Sequence, residues 1–166
     1  MDIAKLSLKY TVRPIEETGV GQVYAFCLKN PQFYLYCPPE VTEDSIRRDM
    51  RALPEGKTLK DKYYLGFWDG DLLVAVVDLI LGFPNAATAF IGFFMVNADL
   101  QGRGVGSRMV GEMLACLSEE FSFVRLGYSK DNPQSKAFWL KNGFTPTGVV
   151  AKEELYDVVI MEKKIN

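Results

Sequence analysis

The segment from Thr88 to Tyr128 constrains the fold more than any other part of the chain. Thr88 to Val96 is a near-continuous apolar run of strand length, the pattern of a strand covered on both faces. A glycine-rich stretch follows, Gln101-Gly102-Arg103-Gly104-Val105-Gly106-Ser107. Met109, Val110, Met113, Leu114 and Leu117 then fall at helical spacing, predicting a helix from about Val105 to Glu120. Phe121 to Tyr128 reads as the next strand. A strand, a helix and a strand in that order form a parallel crossover, so the chain must build a sheet with helices packed on it.

The remaining elements agree with this. Leu6, Leu8, Tyr10 and Val12 alternate with polar residues and predict a half-buried strand. Val20, Val23, Tyr24, Cys27 and Leu28 predict a helix ending at Asn30-Pro31, and Phe33 to Tyr36 reads as a loop. Thr42 caps a second helix that closes before Pro54. Tyr63 to Trp68 and Leu72 to Leu81 are strands joined through Asp69-Gly70-Asp71, a hairpin signal. Pro133 to Asn142 is a helix with Asn132 as its cap and Gly143 as its stop, and Tyr156 to Lys164 is a last strand. The expectation is an α/β domain with a central mixed sheet, hairpins first and then the parallel crossover. About six to seven strands and about four helices would make up one domain spanning residues 1–166.

Composition narrows the function. At 166 residues and 48% hydrophobic, the chain is long enough to bury one sizeable core. Nineteen Lys and Arg against 21 Asp and Glu leave no basic excess for nucleic acid or an anionic membrane. There is no histidine, which removes Ser/His and Cys/His triads, His-ligated metals and the usual base near neutral pH. Cys27, Cys37 and Cys116 show no metal spacing and read as small hydrophobes of a reducing compartment. Met1 to Arg13 lacks the apolar centre of a signal peptide, and Ala86 to Val96 is far shorter than the ~20 residues of a membrane helix. The expectation is a soluble, cytoplasmic protein without a metal.

The glycine loop is the most informative motif. Glycines let the backbone turn tightly, and the helix behind them adds unspent amides and the positive end of its dipole. Such a cradle suits a pyrophosphate, with Arg103 and Arg108 adding charge. The alternative is a tight turn that binds nothing. Neither the Walker nor the G-x-G-x-x-G dinucleotide pattern fits. What fits is Q-x-x-G-x-G, on Gln101, Gly104 and Gly106. A second block, Asn132, Ser135, Phe138, Trp139, Gly143 and Phe144, reads N-x-x-S-x-x-F-W-x-x-x-G-F. Together, and in this order, they resemble the two signatures of the GNAT N-acetyltransferase family over about Thr88 to Phe144.

The resemblance implies acetyl-CoA as co-substrate and an amine as acceptor. Main-chain groups of Phe94 and Val96 would pair with the pantetheine arm as an added strand. Gln101, Gly102, Arg103, Gly104, Val105, Gly106 and Ser107 would hold the pyrophosphate. Asn132, Ser135 and Phe138 would line the other side of the thioester. Asn132 is also a good helix cap, and Phe138 an ordinary core residue. Family members often pair through sheet edges, so a homodimer using the last strand is an expectation by analogy.

At two positions the chain departs from the family. Phe93 stands where many members carry a strand carboxylate, and Trp139 where many carry a tyrosine acid; an indole N–H cannot protonate a thiolate. A lysine-like amine is charged at pH 7, and neutralising it costs roughly 4–5 kcal/mol, against about 1 kcal/mol for an α-amino group. Asp78, the one charge in its apolar strand, and Tyr128, at the end of its strand, are the substitutes the sequence offers. The alternatives are a strand-edge Asp78 facing water and a Tyr128 engaged in cross-strand packing. Phe33, Tyr34 and Tyr36, with Tyr63 and Tyr64, would wall an acceptor pocket or simply pack. The reading is an N-acetyltransferase acting on a primary amine of a small molecule or peptide in a ternary complex. The alternative is a non-catalytic CoA-binding or sensing module.

Overall fold

The computed structural model describes the whole sequence, Met1–Asn166. Its centre is a seven-stranded mixed sheet in the order β1-β2-β3-β4-β5-β7-β6. The strands are β1 (Thr11–Pro14), β2 (Lys62–Asp69), β3 (Leu72–Leu81), β4 (Thr88–Val96), β5 (Phe123–Ser129), β6 (Thr145–Lys152) and β7 (Asp157–Lys164). The helices are α1 (Val20–Leu28), α2 (Pro31–Tyr36), α3 (Glu43–Asp49), α4 (Val105–Leu117) and α5 (Pro133–Lys141). Neighbouring strands are antiparallel except for β4 and β5, which α4 connects as the parallel crossover requires. The expected mixed sheet and helical layers are therefore present.

Both faces of the sheet are covered, which is why its central strands carry almost no polar residues. Along β3, Val76 faces a cluster with Val23 and Phe26 of α1 and Ile46 of α3. Its neighbour Val77 faces the larger cluster, with Met109 and Met113 of α4 and Leu126 of β5. The caps follow the expected chemistry. The Thr42 hydroxyl accepts from the Ser45 N–H at 3.0 Å, and the Asn132 side chain accepts from the Ser135 N–H at 3.0 Å.

Three local expectations are corrected. The strand expected over Leu6 to Val12 begins only at Thr11, and a short 3-10 turn occupies Ile3–Leu6. The Ser7 hydroxyl and Leu8 N–H both donate to Glu112 of α4, while Lys9 and Tyr10 donate to the Ser7 hydroxyl. Backbone groups that a ladder would use are thus satisfied by side chains. The stretch read as a loop at Phe33 to Tyr36 is the short helix α2, started by Pro31 at its first turn. An unexpected strand, β6, pairs with β7 with an irregular register between Pro146 and Val150. Most of its residues are exposed on both sides, so it carries no alternating signal. As a result β7, the last strand, lies inside the sheet, and β6 forms the edge on that side, opposite β1.

Candidate active site

The parallel pairing of β4 with β5 runs only from Thr88–Phe123 to Ile91–Leu126. Beyond it β4 continues to Val96 and β5 to Ser129, where β5 pairs only with β7. The two strands part, and from Gly92 onward the inner edge of β4 has no strand partner. Gly92 is also the extra residue of a bulge, since Asp78 opposes Phe93 while Leu79 opposes Ile91. Backbone polar groups along such an open edge demand hydrogen bonds, which an extended amide-bearing ligand can supply.

At the end of β4 the glycine loop leads into α4. Gly104 is its N-cap at φ 76, in the left-handed region that favours glycine. The first helical bond runs from the Arg108 N–H to the Gly104 carbonyl at 3.1 Å. The amides of Val105, Gly106 and Ser107 are left without intrahelical partners and point out of the positive end of the helix. Gln101 has a different task from the other loop residues. Its side-chain amide donates to the Asn30 side chain at 2.7 Å and to the Val96 carbonyl at 2.8 Å. It thereby ties the end of α1 to the end of β4 and holds the mouth of the loop in place.

Between these elements and α5 lies a cleft of about 420 Å³. Phe94 and Val96 line it from β4, and Gln101, Gly102, Gly104, Val105, Gly106 and Ser107 from the loop. Asn132, Ser135 and Phe138 close it from the other side. Of the residues expected to hold the cofactor, Arg103 is not on its wall, and neither is Arg108, expected to add charge there. Arg108 is turned toward Tyr10, donating to its hydroxyl at 3.3 Å. Asn30, Phe33 and Trp139 also line the cleft; nothing in the local pattern of Asn30 signals this, because the Gln101 contact spans 71 residues. Phe94 stacks on Phe138 at 6.1 Å, and Trp139 meets Phe138 edge-on at 4.9 Å, so aromatic rings fill the parted strands. Free amides at one end, an open strand edge along one wall and aromatic closure along the other fit a long pyrophosphate-bearing thiol ester such as acetyl-CoA.

A second cavity of about 270 Å³ opens from the same junction. Phe33, Phe94, Asn132, Ser135 and Trp139 are common to both. Tyr128 lines this cavity, and burial pushes its hydroxyl above the ordinary tyrosine range. Its hydroxyl group makes no hydrogen bond within the protein. Cys37, Glu153 and Tyr156 complete the wall, and burial pushes the Cys37 thiol up to about 11, so it is protonated at neutral pH. Of the aromatics considered for an acceptor wall, Phe33 is in place and stands edge-on to Phe93 at 5.6 Å. Tyr34 and Tyr64 instead belong to the core under α1, Tyr63 packs into the opposite cluster, and Tyr36 lines neither cavity.

Asp78 is not a strand-edge residue facing water. It lies in the middle of the sheet, 7% exposed, with its Oδ2 2.7 Å from Nζ of the equally buried Lys62. Its Oδ1 has no partner, and desolvation raises its pKa while Lys62 lowers it. It does not line either cavity. It stands directly behind the bulge, with Oδ2 2.8 Å from where a Cβ on Gly92 would be, and Gly92 is itself part of the second cavity's wall.

The profile described as the Acetyltransferase (GNAT) family matches residues 27–144. The chain belongs to the GNAT acetyltransferase family. No curated protein sequence matches the chain, but solved structures do. An acetyltransferase from Thermus thermophilus superposes with a TM-score of 0.75 at 21% identity, covering 99% of each chain. An acetyltransferase of Salmonella typhimurium that modifies the N-terminal serine of 50S ribosomal subunit protein L7/L12 gives 0.73 at 17% identity, covering 99% of this chain and 100% of that one. A ribosomal L7/L12 alpha-N-protein acetyltransferase in complex with coenzyme A gives 0.71 at 18% identity, covering 98% of each. At these identities the likeness establishes the GNAT fold. The GNAT family uses acetyl-CoA, which is the type of ligand the larger cleft fits. No helix of the protein is long and apolar enough to cross a membrane.

Proposed function

We propose that this GNAT protein transfers an acetyl group from acetyl-CoA directly to a primary amine of a small molecule or peptide, as one domain spanning residues 1–166. The carrying observation is the junction of two cavities at Phe94, Asn132 and Trp139. One cavity ends in the free amides of α4, and the other is open to an acceptor. The thiol ester supplies the acyl carbon. Phe94 and Val96 offer backbone groups to the arm, and the loop from Gln101 to Ser107 receives the pyrophosphate, with Arg103 acting on it only at long range. Asn132, Ser135 and Phe138 hold the opposite wall.

The amine must arrive neutral, and the departing sulfur gains by receiving a proton. In this reading Tyr128 takes the second task, supported by its unpartnered hydroxyl, its position in the second cavity's wall and a raised pKa that keeps it protonated. Asp78, a buried carboxylate held by Lys62 behind the bulge at Gly92, lines neither cavity, so in this reading the amine loses its proton to solvent before it enters. An α-amino group needs little help, about 1 kcal/mol, which suits a site whose carboxylate stands behind the wall. Fold neighbours that acetylate ribosomal-protein N-termini are consistent with such an acceptor.

The test has two parts. Thermal unfolding with acetyl-CoA at a hundred times its dissociation constant should show about 2.7 kcal/mol of added stability. Thiol release with a panel of amines should then show turnover that falls at least tenfold in Tyr128→Phe at unchanged acetyl-CoA affinity. Phe93 and Trp139, where many GNAT members carry base and acid, favour a second reading. In that reading the protein is a CoA-binding module, and CoA stabilises it while no amine releases thiol. A cytoplasmic setting is part of the proposal, resting on the reduced, widely spaced cysteines.

A further inference from the structure

The second cavity carries a statement about which amines can enter it. Eleven of its seventeen lining residues are hydrophobic, Phe90, Ile91, Phe93 and Leu126 among them. No Lys or Arg lines it; its one charged side chain is Glu153. Glu153 is exposed, lies at the start of the turn between β6 and β7, and forms no ion pair or side-chain hydrogen bond. Its backbone is fixed, since its N–H donates to the Tyr156 carbonyl at 3.0 Å. Lys152 at the end of β6 and Lys130 just after β5 are already engaged, both pairing with Asp157. Tyr156 and Cys37 both line the cavity, close enough for the thiol to influence the phenol.

An acceptor has its nitrogen at the junction with the larger cleft, so the rest of its body lies along this wall toward Glu153. A carboxylate on that body would lose its water among aromatic and aliphatic side chains, meet no cation and sit near an unpaired anion. A polycation would pair once at Glu153 and leave its other charges against apolar walls. An ammonium approaching from solvent is attracted by Glu153, and a neutral apolar body gains by leaving water.

We infer that the acceptor is a primary amine on a neutral, largely apolar or aromatic body with no carboxylate beside it, selected by the uncharged wall and by Glu153 at its mouth. This rests on the acetyl-transfer reading above. Either a free arylalkylamine or the N-terminus of a peptide with an apolar first residue has this chemistry.

The experiment compares 2-phenylethylamine, phenylalanine, spermidine and a phenylalanine-initiated peptide amide at fixed acetyl-CoA, by thiol release. It also measures their binding to the CoA-loaded protein by calorimetry. The expected result is kcat/KM at least tenfold higher for 2-phenylethylamine or for the peptide than for phenylalanine, with the better of the two identifying the source. Glu153→Lys should narrow that preference at least tenfold and weaken calorimetric binding of 2-phenylethylamine while leaving CoA affinity unchanged. Phenylalanine or spermidine performing as well as 2-phenylethylamine and the peptide would overturn the inference, as would CoA binding with no transfer to any of the four. Absence of CoA binding would remove the functional reading beneath it, a separate and distinguishable failure.

Discussion

Gly104 stands at φ 76 with nothing within 4 Å of where a Cβ would point, so its glycine is required by conformation and not by crowding. Gly104→Val should therefore cost about 1–2 kcal/mol in urea unfolding and weaken acetyl-CoA binding at least tenfold, because the amides behind it move. An unchanged affinity would show that the loop does not hold the pyrophosphate. Lys62 and Asp78 belong to a different physical class. Both are buried, and removing one leaves the other charged and unpaired. Lys62→Met should cost about 3–5 kcal/mol, and the double change Lys62→Met with Asp78→Leu should recover most of that. Equal losses in the single and double variants would refute the pairing as the source. The sequence makes Asp78 conspicuous as a lone charge in an apolar strand, yet its partner is sixteen positions away on another strand. Only the register of β2 on β3 brings the two together.

Among the elements, the β6–β7 hairpin, which brings Glu153, Tyr156 and Val158 to the second cavity, is the least legible. Its turn end is clamped by Asp157, whose carboxyl is held below the ordinary range, chiefly by its hydrogen bond to Lys152 and also by Lys130. A carboxyl lowered on folding contributes stability above its unfolded value, and that contribution disappears as pH falls through the folded one. Because the pair is exposed, the effect is screened by salt. Chemical unfolding of the wild type and Asp157→Asn should converge as the pH falls from 7 through the carboxylate range, with a smaller gap at high salt. A gap independent of pH would assign the clamp no electrostatic role. The helices are more legible in the sequence than this hairpin. Thr42, Asn132, Pro133 and Gly143 punctuate α3 and α5 through local chemistry, whereas β6 is exposed on both sides and hides its period.

For the whole molecule, the sheet's two halves meet through only four paired positions of β4 and β5, from Thr88 to Ile91 and Phe123 to Leu126. A ligand lying along the open edge beyond Ile91 would complete the ladder and bridge the halves. Hydrogen exchange should then slow on adding acetyl-CoA more at Gly92 to Val96 and at Gly102 to Ser107 than in β1 to β3, whose amides slow only as far as the global stabilisation requires. Uniform slowing across the sheet would mean that the ligand stabilises the fold without occupying the edge. The sequence alone determined the parallel crossover, the glycine loop and the two GNAT signatures. Each depends on periodicity, on backbone conformations that few residues accept, or on short-range capping, and all of these are local. Only the tertiary structure decided that β4 and β5 part after Ile91, that Gln101 braces α1 while Arg103 stays off the wall, and that Asp78 is buried beside Lys62. It also decided that Glu153 guards an otherwise uncharged cavity. These features arise where segments far apart in the chain meet, and a contact between them leaves no period in the sequence of either.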